Sequence, residues 1–596
     1  MMIGTLIASL SAMTDPTSYS RTAAPPPQSR RRRLIALAII VISLAGMFGP
    51  SLVAHMRHAA EPLWFNDDCR AYIWPMLRYH DPSLFQNDYI TQHFLDVMPS
   101  GYKLLYRGWS MLADPRVLSK ALPYALLLVF LATVGVTGWK LAGPVAAWGA
   151  IALCLSSSHF LGCMTGGLPR AFAFPVVGAA AMALTLGRPI VLAVVVCLGA
   201  ALYAASGLVS GVALAIYLLL LPAPDRAGAQ NWSLRRRMIV VAITALISGL
   251  MVLPTMIQTR AYGSMIHPDQ ITTYPEAGPG GRYSRKDRPP YRTVGAEAMG
   301  LIHKTLVGGG DPWPGMMPPT RYDHDDSVPR IPALLICVVC LGAAGATLLA
   351  TRNEAVKRLL ILLLAVLLIH PVAVVVAPLL HLPARYVDYP VPVLTVLLIP
   401  VGAFALGSLA SAPNRAWLRP AAILAICLAS LLGLGGRGNP DIGYTVRVDP
   451  KNTIYRFLAS LPNDAVIAGW PYGLLDNVPY LSQRRTLITF ENHAVFHQEF
   501  VKEMRRRMIA LIEAYFATDL PPLTRLRKDF GVTHLVLDLR HYSRPPAYFK
   551  PFGAYAAEMF RKSRQGAIEA EWQLTWAGVY REDHLAVLDL NQLRPQ

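Results

Sequence analysis

Long apolar stretches alternate with short polar turns over most of this 596-residue chain. Runs such as ALLLVFLATVGVTG and RLLILLLAVLLIHPVAVVVAPLL approach or exceed the ~20 residues that a helix needs to cross a hydrocarbon core. One or two such runs fit a buried helix of a soluble protein, whereas about eleven of them do not. The pattern predicts an all-α polytopic membrane protein with about 11 transmembrane helices.

The spans follow from the apolar runs and from the breaks between them. The run 189–222 is too long for one crossing, and the break at Ser206-Gly207 predicts a tight reversal inside it. In chain order, the predicted spans are 34–54, 121–141, 143–162, 169–187, 189–204, 206–222, 238–258, 330–350, 358–380, 389–411 and 418–436.

Three polar segments interrupt or follow the spans: the first polar segment (55–120), the second polar segment (259–329) and the C-terminal domain (437–596). In the last of these, short apolar runs such as VIAG, HLVLDL and AVLDL alternate with helical patterns, which predicts a small α/β domain. The chain thus divides into a basic tail (1–33) predicted to be disordered, a transmembrane module (34–436) and this domain.

Charge fixes the expected orientation. Charged residues make up 15% of the chain, against roughly 25% in an average soluble domain. The net charge of +19 suggests nucleic acid at first, but basic residues cluster in the tail and in short loops such as 223–237 and 351–357. Membrane proteins keep such loops in the cytoplasm. We therefore expect a cytoplasmic N-terminus, all three polar segments on the outer face of an inner or plasma membrane, and no nucleic-acid partner.

The first polar segment carries an adjacent acidic pair, Asp67 and Asp68, with Arg70 beside it and Asp88 further along. A carboxylate just past the first span lies near the low-dielectric interface, which suits a general base that takes a proton from an attacking hydroxyl. A helix cap, or a salt bridge with Arg70, explains the same pair equally well.

Several basic residues are candidate phosphate ligands. Arg170 lies in the turn CMTGGLPR between two spans, where an anchor at the membrane boundary is the simpler interpretation. Arg385 and Tyr386 lie at the mouth of the span 389–411. The second polar segment has a flexible basic loop, predicted either to bind a lipid phosphate or to be solvated, with Arg282, Arg285, Lys286 and Arg288.

Metal and redox chemistry have weaker signals. The cysteines mostly fall in apolar runs, and none is spaced for a zinc site. A disulfide between Cys69 and Cys163 is disfavoured against free thiols. The acidic cluster 323–326 offers oxygen ligands to a cation, although a solvated turn explains it better. No metal is predicted, and a divalent cation stays open.

The layout resembles the GT-C superfamily of polytopic glycosyltransferases. The resemblance lies in the number of spans, the acidic motif in NDDCRAYIWPMLRYHDPSLFQNDYI after the first span, the further polar segments and the C-terminal domain. The segments GGLPRAFAFP and PNDAVIAGWP are also similar to stretches of bacterial proteins related to these enzymes. The likeness covers most of the chain and is architectural more than residue by residue.

The resemblance implies a GT-C-like fold and an inverting transferase. Asp67 or Asp68 would be the catalytic base, and a hexosyl or pentosyl unit would move from a polyprenyl-phosphate donor to a glycan, lipid or protein acceptor of the envelope. Arg385, and after it Arg170, would stabilise the leaving phosphate; the remaining candidates, Arg70, Asp88 and Tyr386, would bind substrate. Unlike some members of the superfamily, this sequence has no evident acidic partner in the second polar segment.

Two other functions compete with this one. A transporter or flippase of a lipid-linked saccharide needs charged groups buried at mid-membrane and often has internal repeats. Few predicted spans carry a charge at their centre, and no matching halves are evident. A non-catalytic envelope scaffold needs fewer spans than this chain has. The sequence therefore favours an enzyme over both alternatives.

Overall fold

The computed structural model describes residues 30–220, 232–270, 272–282, 354–376, 382–409, 441–564 and 568–595, with residues 302, 342, 345, 417, 421, 424 and 566. The tail up to residue 29 and nearly all of the predicted spans 330–350 and 418–436 lie outside these ranges. Helices and strands are numbered along the described residues only.

The first two-thirds of the described chain is helical. Its helices are α1 (Arg30–Ala60), α2 (Cys69–Tyr72), α3 (Leu77–His80), α4 (Tyr89–Val97), α5 (Ser100–Ser110), α6 (Pro115–Ala142), α7 (Pro144–Ser156), α8 (Ser158–Met164), α9 (Ala173–Leu186), α10 (Pro189–Leu202), α11 (Ala204–Ala215), α12 (Leu234–Thr259), α13 (Glu354–Val375), α14 (Arg385–Asp388) and α15 (Pro390–Leu409).

Six spans in the described ranges are long and apolar enough to cross a membrane. They are α1, α6, the 3-10 turn Pro169–Phe172 with α9, α12, α13, and α14 with α15. The pair α7 and α8, bent by 64° at Ser157, makes a seventh if it counts as one span. The chain is therefore a multi-pass membrane protein, while the predicted count of about 11 spans stays a prediction.

The reversal between α10 and α11 lies earlier than the sequence predicted. The chain turns at Tyr203, whose backbone is extended with φ of −154°, whereas the predicted Ser206-Gly207 break lies inside α11. Gly207 has a packing role instead. A Cβ atom at Gly207 would lie 2.6 Å from the backbone nitrogen of Ala200, so the missing side chain lets α11 approach α10 closely.

The C-terminal domain contains the predicted strands. Its helices and five-stranded sheet are α16 (Ile454–Ser460), β3 (Val466–Gly469), α17 (Leu474–Leu481), β4 (Arg485–Thr486), α18 (Gln498–Tyr515), α19 (Leu520–Phe530), β5 (His534–Asp538), α20 (Phe552–Ser563), α21 (Glu569–Ala577), β6 (Gly578–Glu582) and β7 (Leu585–Asp589). The strand order is β4-β3-β5-β7-β6, with β4, β3 and β5 parallel and β7 antiparallel to both neighbours.

Both polar segments contact this domain. In the first, β1 (Trp64–Phe65) pairs antiparallel with β2 (Val446–Arg447), and the Arg447 guanidinium lies 4.7 Å from the Trp64 ring centroid. In the second, the buried Glu276 carboxylate accepts a hydrogen bond of 2.6 Å from Arg505 Nε on α18. All three polar segments therefore lie on the same side of the membrane helices.

Candidate functional site

Asp68 is held by an arginine from the membrane module. It precedes α2 at the cap position, but its side chain makes no capping hydrogen bond. Its Oδ2 instead forms an ion pair with Nη1 of Arg170, in the 3-10 turn before α9. The side chains of Arg170 and Asp68 are 23% and 26% exposed. Solvent therefore reaches a carboxylate–guanidinium pair where the first polar segment meets the membrane helices.

Asn66 orients both members of this pair. Its Oδ1 accepts hydrogen bonds from the Asp68 backbone N–H at 3.1 Å and from Arg170 Nη2 at 3.4 Å. Its Nδ2 donates to the Gly443 carbonyl at 2.8 Å, next to the C-terminal domain. Because one buried amide contacts three segments of the chain, it fixes the position of the carboxylate relative to the guanidinium.

The glycine pair in CMTGGLPR brings Arg170 within reach of Asp68. Gly166 has φ of +94°, and a Cβ atom there would lie 2.9 Å from Cβ of Asn66 and 3.2 Å from Sγ of Cys69. Such a backbone conformation and such a close approach both favour glycine. The turn 163–170 therefore packs directly against the start of α2.

A second arginine, Arg385, lies near Arg170. Its Nη1 donates a 2.7 Å hydrogen bond to the Tyr389 hydroxyl, which also accepts from the Tyr203 hydroxyl at 3.4 Å. The charges of Arg385 and Arg170 are close enough to repel each other, and Cys163 interacts with both. Two guanidinium groups from different helices therefore lie close together. We call Asn66, Asp68, Arg170 and Arg385 the Asp68 site.

The C-terminal domain supplies a second cluster of charges beside this site. Arg70 lies 3.3 Å from Oδ2 of the fully buried Asp476 and 3.5 Å from Oε1 of Glu491. Oε2 of Glu491 in turn accepts a 3.0 Å hydrogen bond from Arg282 Nη2, and the Arg282 guanidinium lies 3.6 Å from the Phe490 ring centroid. These four charged side chains, the interdomain cluster, join all three polar segments.

Glu491 has the most altered acid–base behaviour of this cluster. The pKa of its carboxyl is raised to about 7. Burial is the largest cause, and the charges of Asp476 and Asp68 also raise the pKa, whereas those of Arg282 and Arg70 lower it. Burial also raises the pKa of Asp476. Because Asp68 acts on Glu491 through its charge, the interdomain cluster and the Asp68 site are electrostatically connected.

The structure distinguishes the explanations that the sequence left open for the acidic pair. Asp68 is neither a side-chain cap nor a partner of Arg70, since it pairs with Arg170. Arg70 donates its Nε–H to the Asp67 carbonyl at 3.1 Å, and its guanidinium forms an ion pair with Asp476 of the C-terminal domain. Asp67 accepts the Asp68 backbone N–H at 3.0 Å, and no salt bridge to Asp67 is found among the described residues.

The remaining candidate residues have other surroundings or lie outside the described residues. Oδ2 of Asp88 caps α4 by accepting the Thr91 backbone N–H at 2.8 Å, so its predicted substrate contact stays a prediction. Tyr386 is buried beside Arg385 in α14. Arg282 belongs to the interdomain cluster, while Arg285, Lys286 and Arg288 lie outside the described residues. The acidic cluster 323–326 also lies outside them. No disulfide joins Cys69 and Cys163.

The described side chains do not fit a metal ion at this site. In the described ranges, no group of three or more His, Cys, Asp or Glu residues is placed to hold one. Asp68 is already paired with Arg170, and the two carboxylates of the interdomain cluster, Asp476 and Glu491, are engaged by Arg70 and Arg282. The chemistry proposed below is therefore built on side chains alone.

Sequence reasoning did not find Asn66, Asp476 or Glu491. Asn66 directly precedes the acidic pair but carries no charge. Asp476 and Glu491 lie about four hundred positions after Asp68, and no pattern in the chain links positions so far apart. One available signal was the pair of carboxylates in GLLDN and TFENH, which interrupt otherwise apolar stretches of the C-terminal domain.

No protein-family model matches the chain, and no curated protein matches it. Among solved structures, the chain is similar to ArnT from Cupriavidus metallidurans in the apo state, with 12% identity, a TM-score of 0.49, and coverage of 93% of this chain and 100% of that one. It is also similar to the apo Archaeoglobus fulgidus oligosaccharyltransferase, with 12% identity, a TM-score of 0.46, and coverage of 85% and 70%.

A third similar structure is AglB from Archaeoglobus fulgidus in complex with an inhibitory peptide and a dolichol-phosphate. Its identity is 12% and its TM-score 0.45, with 92% of this chain and 73% of that one covered.

Proposed function

We propose that this chain is a membrane glycosyltransferase that moves a sugar from a polyprenyl-phosphate donor to an envelope acceptor at the outer face of the membrane. The observation that carries the proposal is the Asp68 site itself. The solvent-reached carboxylate of Asp68 pairs with Arg170 at the boundary between the membrane helices and the polar segments, and a second guanidinium, that of Arg385, lies close enough to Arg170 for the two charges to interact. A base beside a phosphate-binding pair is what transfer from a lipid phosphate requires.

Asp68 is the proposed base. It takes the proton of the acceptor hydroxyl while that oxygen bonds to the anomeric carbon of the donor sugar. The bond from this carbon to the phosphate oxygen breaks at the same time, and its electrons leave with the polyprenyl phosphate. Attack from the face opposite the phosphate inverts the anomeric centre. Asn66 holds Asp68 in place through the 3.1 Å hydrogen bond to its backbone.

Arg170 and Arg385 are the proposed phosphate ligands. In the structure, Arg170 is paired with Asp68, and Arg385 donates to Tyr389. An arginine binds phosphate with two parallel N–H donors, and the negative charge grows on the phosphate as the sugar leaves. A donor phosphate that draws Arg170 away would free the Asp68 carboxylate for its role as a base. Donor binding would thereby switch on the acid–base chemistry.

Native mass spectrometry of the purified protein tests the donor class. We expect a sugar-bearing polyprenyl phosphate to co-purify and to accumulate in Asp68→Asn, since that variant binds donor but does not consume it. Asp81→Asn is the matched control, because Asp81 lies in the same segment and its side chain accepts local hydrogen bonds from Ser83. A transporter would carry the lipid equally in all three proteins, so equal occupancy together with unimpaired transfer by Asp68→Asn contradicts the proposal.

A further inference from the structure

The C-terminal domain contains a cavity that the transfer reaction described above does not use. Its volume is about 830 Å³, which falls in the range of small-molecule binding sites. The cavity lies at the carboxyl ends of β3 and β5: Trp470 and Tyr472 come directly after β3, and Asp538, Arg540 and His541 lie at the end of β5 and just after it.

The sheet topology explains why a cavity forms there. From β3 the chain crosses through α17 to β4 on one side, and from β5 it continues through α20 and α21 to β6 at the opposite edge of the sheet. The connections that leave β3 and β5 therefore run in opposite directions and open a crevice between them. In open α/β sheets, ligands bind in the crevice at this switch in strand order.

The first turn after β3 differs from that of a dinucleotide-binding domain. Nucleotide-binding domains place several glycines there, so that the backbone approaches the pyrophosphate closely. In this chain the turn is Trp470-Pro471-Tyr472-Gly473, which carries two large rings. The rings of Tyr472 and Phe490 stand at 86° to each other, with centroids 5.1 Å apart. The cavity thus has an aromatic corner in place of a phosphate cradle.

Polar side chains surround this corner. Asp449, Asn452, Asp538 and His584 line the same cavity and can accept or donate hydrogen bonds. Aromatic faces combined with short planar polar groups match the chemistry of a sugar ring, which has an apolar C–H face and a rim of hydroxyl groups. We propose that this cavity binds a saccharide.

The cavity also adjoins the interdomain cluster. Asn477 and Phe490 line it, and the same two residues contact Arg70 and Arg282: Nη1 of Arg70 donates to Asn477 Oδ1 at 3.5 Å, and Arg282 stacks on Phe490. Glu491 follows Phe490 directly. We assign the saccharide in the cavity to the acceptor, as the part that lies away from the reacting hydroxyl. This assignment to the acceptor rests on the proposed transfer reaction.

A printed array of bacterial envelope oligosaccharides, with peptides printed beside them, probes the full-length protein in detergent. We expect the wild type to bind saccharides, and Tyr472→Ala to weaken that binding about tenfold because a stacking face is lost. Tyr472→Phe keeps the ring and should bind as the wild type does. Trp576→Ala is the matched control, since Trp576 is 48% exposed, close to the 49% of Tyr472, and does not line the cavity.

Asp68→Asn separates this inference from the proposed function. The variant should bind saccharides as the wild type does, because Asp68 does not line the cavity. Saccharide binding that depends on Tyr472, in a protein without transferase activity, would leave the cavity assignment in place and remove the transfer reaction. Saccharide binding that is unchanged in Tyr472→Ala, or a wild type that binds only the peptides or nothing on the array, would overturn the cavity assignment.

Discussion

Asp67 and Asp68 are neighbours in sequence but have different surroundings. Asp68 forms an ion pair with Arg170, whereas the one hydrogen bond found for the Asp67 side chain among the described residues comes from the backbone N–H of Asp68. A general base must lie within hydrogen-bond reach of the proton that it removes, and the phosphate ligands fix where the donor sugar lies. The geometry therefore favours Asp68 over Asp67, a choice that the sequence left open.

Asp68→Asn should lower the transfer rate by about a hundredfold or more, which is the usual contribution of a positioned base. Asp67→Asn should retain most of the rate. Both variants should unfold at nearly the wild-type temperature, because a partly exposed ion pair contributes about 1 kcal/mol or less. Single-turnover kinetics with a synthetic polyprenyl-phosphate sugar measures the difference. Wild-type rates in Asp68→Asn, or an inactive Asp67→Asn beside an active Asp68→Asn, would move the base elsewhere.

Glu491 makes the stability of the protein depend on pH. Its folded pKa of about 7 lies above the ordinary value of 4.5, so the folded state binds more protons than the unfolded state between those values. This contribution to stability is fully present below about pH 4.5 and is lost as the pH rises through 7. The melting temperature should therefore fall between about pH 5 and pH 8.

Glu491→Gln should flatten that fall, because the amide does not titrate over this range. Differential scanning fluorimetry of the wild type and the variant at the two pH values measures the difference in slope. The control is Glu558→Gln, since Glu558 pairs locally with Lys562 on the surface of α20. Equal slopes in the wild type and Glu491→Gln would mean that other groups carry the dependence.

At the level of single residues, the sequence pattern pointed to three members of the Asp68 site as candidates. Asp68, Arg170 and Arg385 all appear in motifs next to predicted spans, where polar residues stand out from apolar surroundings. Glu491 does not stand out in this way, because its role comes from contacts with Arg70 and Arg282 in two other segments. Tertiary contacts between distant segments have no local pattern in a single sequence.

The position of Arg385 depends on a contact between segments that lie far apart in the sequence. It begins α14, and its guanidinium meets Tyr389, whose hydroxyl also meets Tyr203 between α10 and α11. Arg385→Ala should weaken donor binding by about ten- to a hundredfold, since hydrogen bonds to a charged group contribute about 1.5–3 kcal/mol. Acceptor binding should change far less.

Titration of donor and acceptor by microscale thermophoresis compares the two affinities. Arg78→Ala is the matched control, because Arg78 is an arginine of the first polar segment whose guanidinium donates to Oε1 of Gln92 at 3.4 Å. A larger loss of acceptor affinity than of donor affinity in Arg385→Ala would refute its phosphate role.

The helix pair α10 and α11 shows what apolar pattern predicts and what it misses. Pattern located both helices to within a few residues, because membrane helices need continuous apolar runs. It misplaced the reversal, because glycine is common both in turns and where two helices pack closely. Gly207 serves the second purpose, and only the distance to α10 distinguishes them.

Gly207→Ala should therefore lower the free energy of unfolding by about 1–3 kcal/mol, as other overpacked contacts do. The added methyl carbon would lie 2.6 Å from the backbone nitrogen of Ala200, which must shift to accommodate it. Gly249→Ala in α12 is the control, because nothing lies within 4 Å of a Cβ atom there. Thermal unfolding in one detergent compares the two variants, and an equal melting temperature in both would contradict the packing role.

On the scale of the whole molecule, three segments far apart in the chain form one polar face. Arg70 from the first polar segment and Arg282 from the second meet Asp476 and Glu491 of the C-terminal domain. Segments in such contact lie on the same side of a membrane, so an even number of crossings separates the first polar segment from the C-terminal domain. The ten spans predicted after the first one satisfy this condition. The side of the membrane on which the polar face lies is predicted from the basic loops alone.

The location of the polar face is open to direct measurement. The basic tail and loops predict a cytoplasmic N-terminus and a C-terminal domain on the outer face. Alkaline phosphatase fused after residue 596 should therefore be active, since it folds only outside the cytoplasm, and green fluorescent protein fused there should be dark. Fusions after residue 230, in a predicted cytoplasmic loop, should show the opposite pattern. A fluorescent C-terminal fusion would place the Asp68 site in the cytoplasm, where nucleotide sugars are available, and would remove the main reason for a lipid-linked donor.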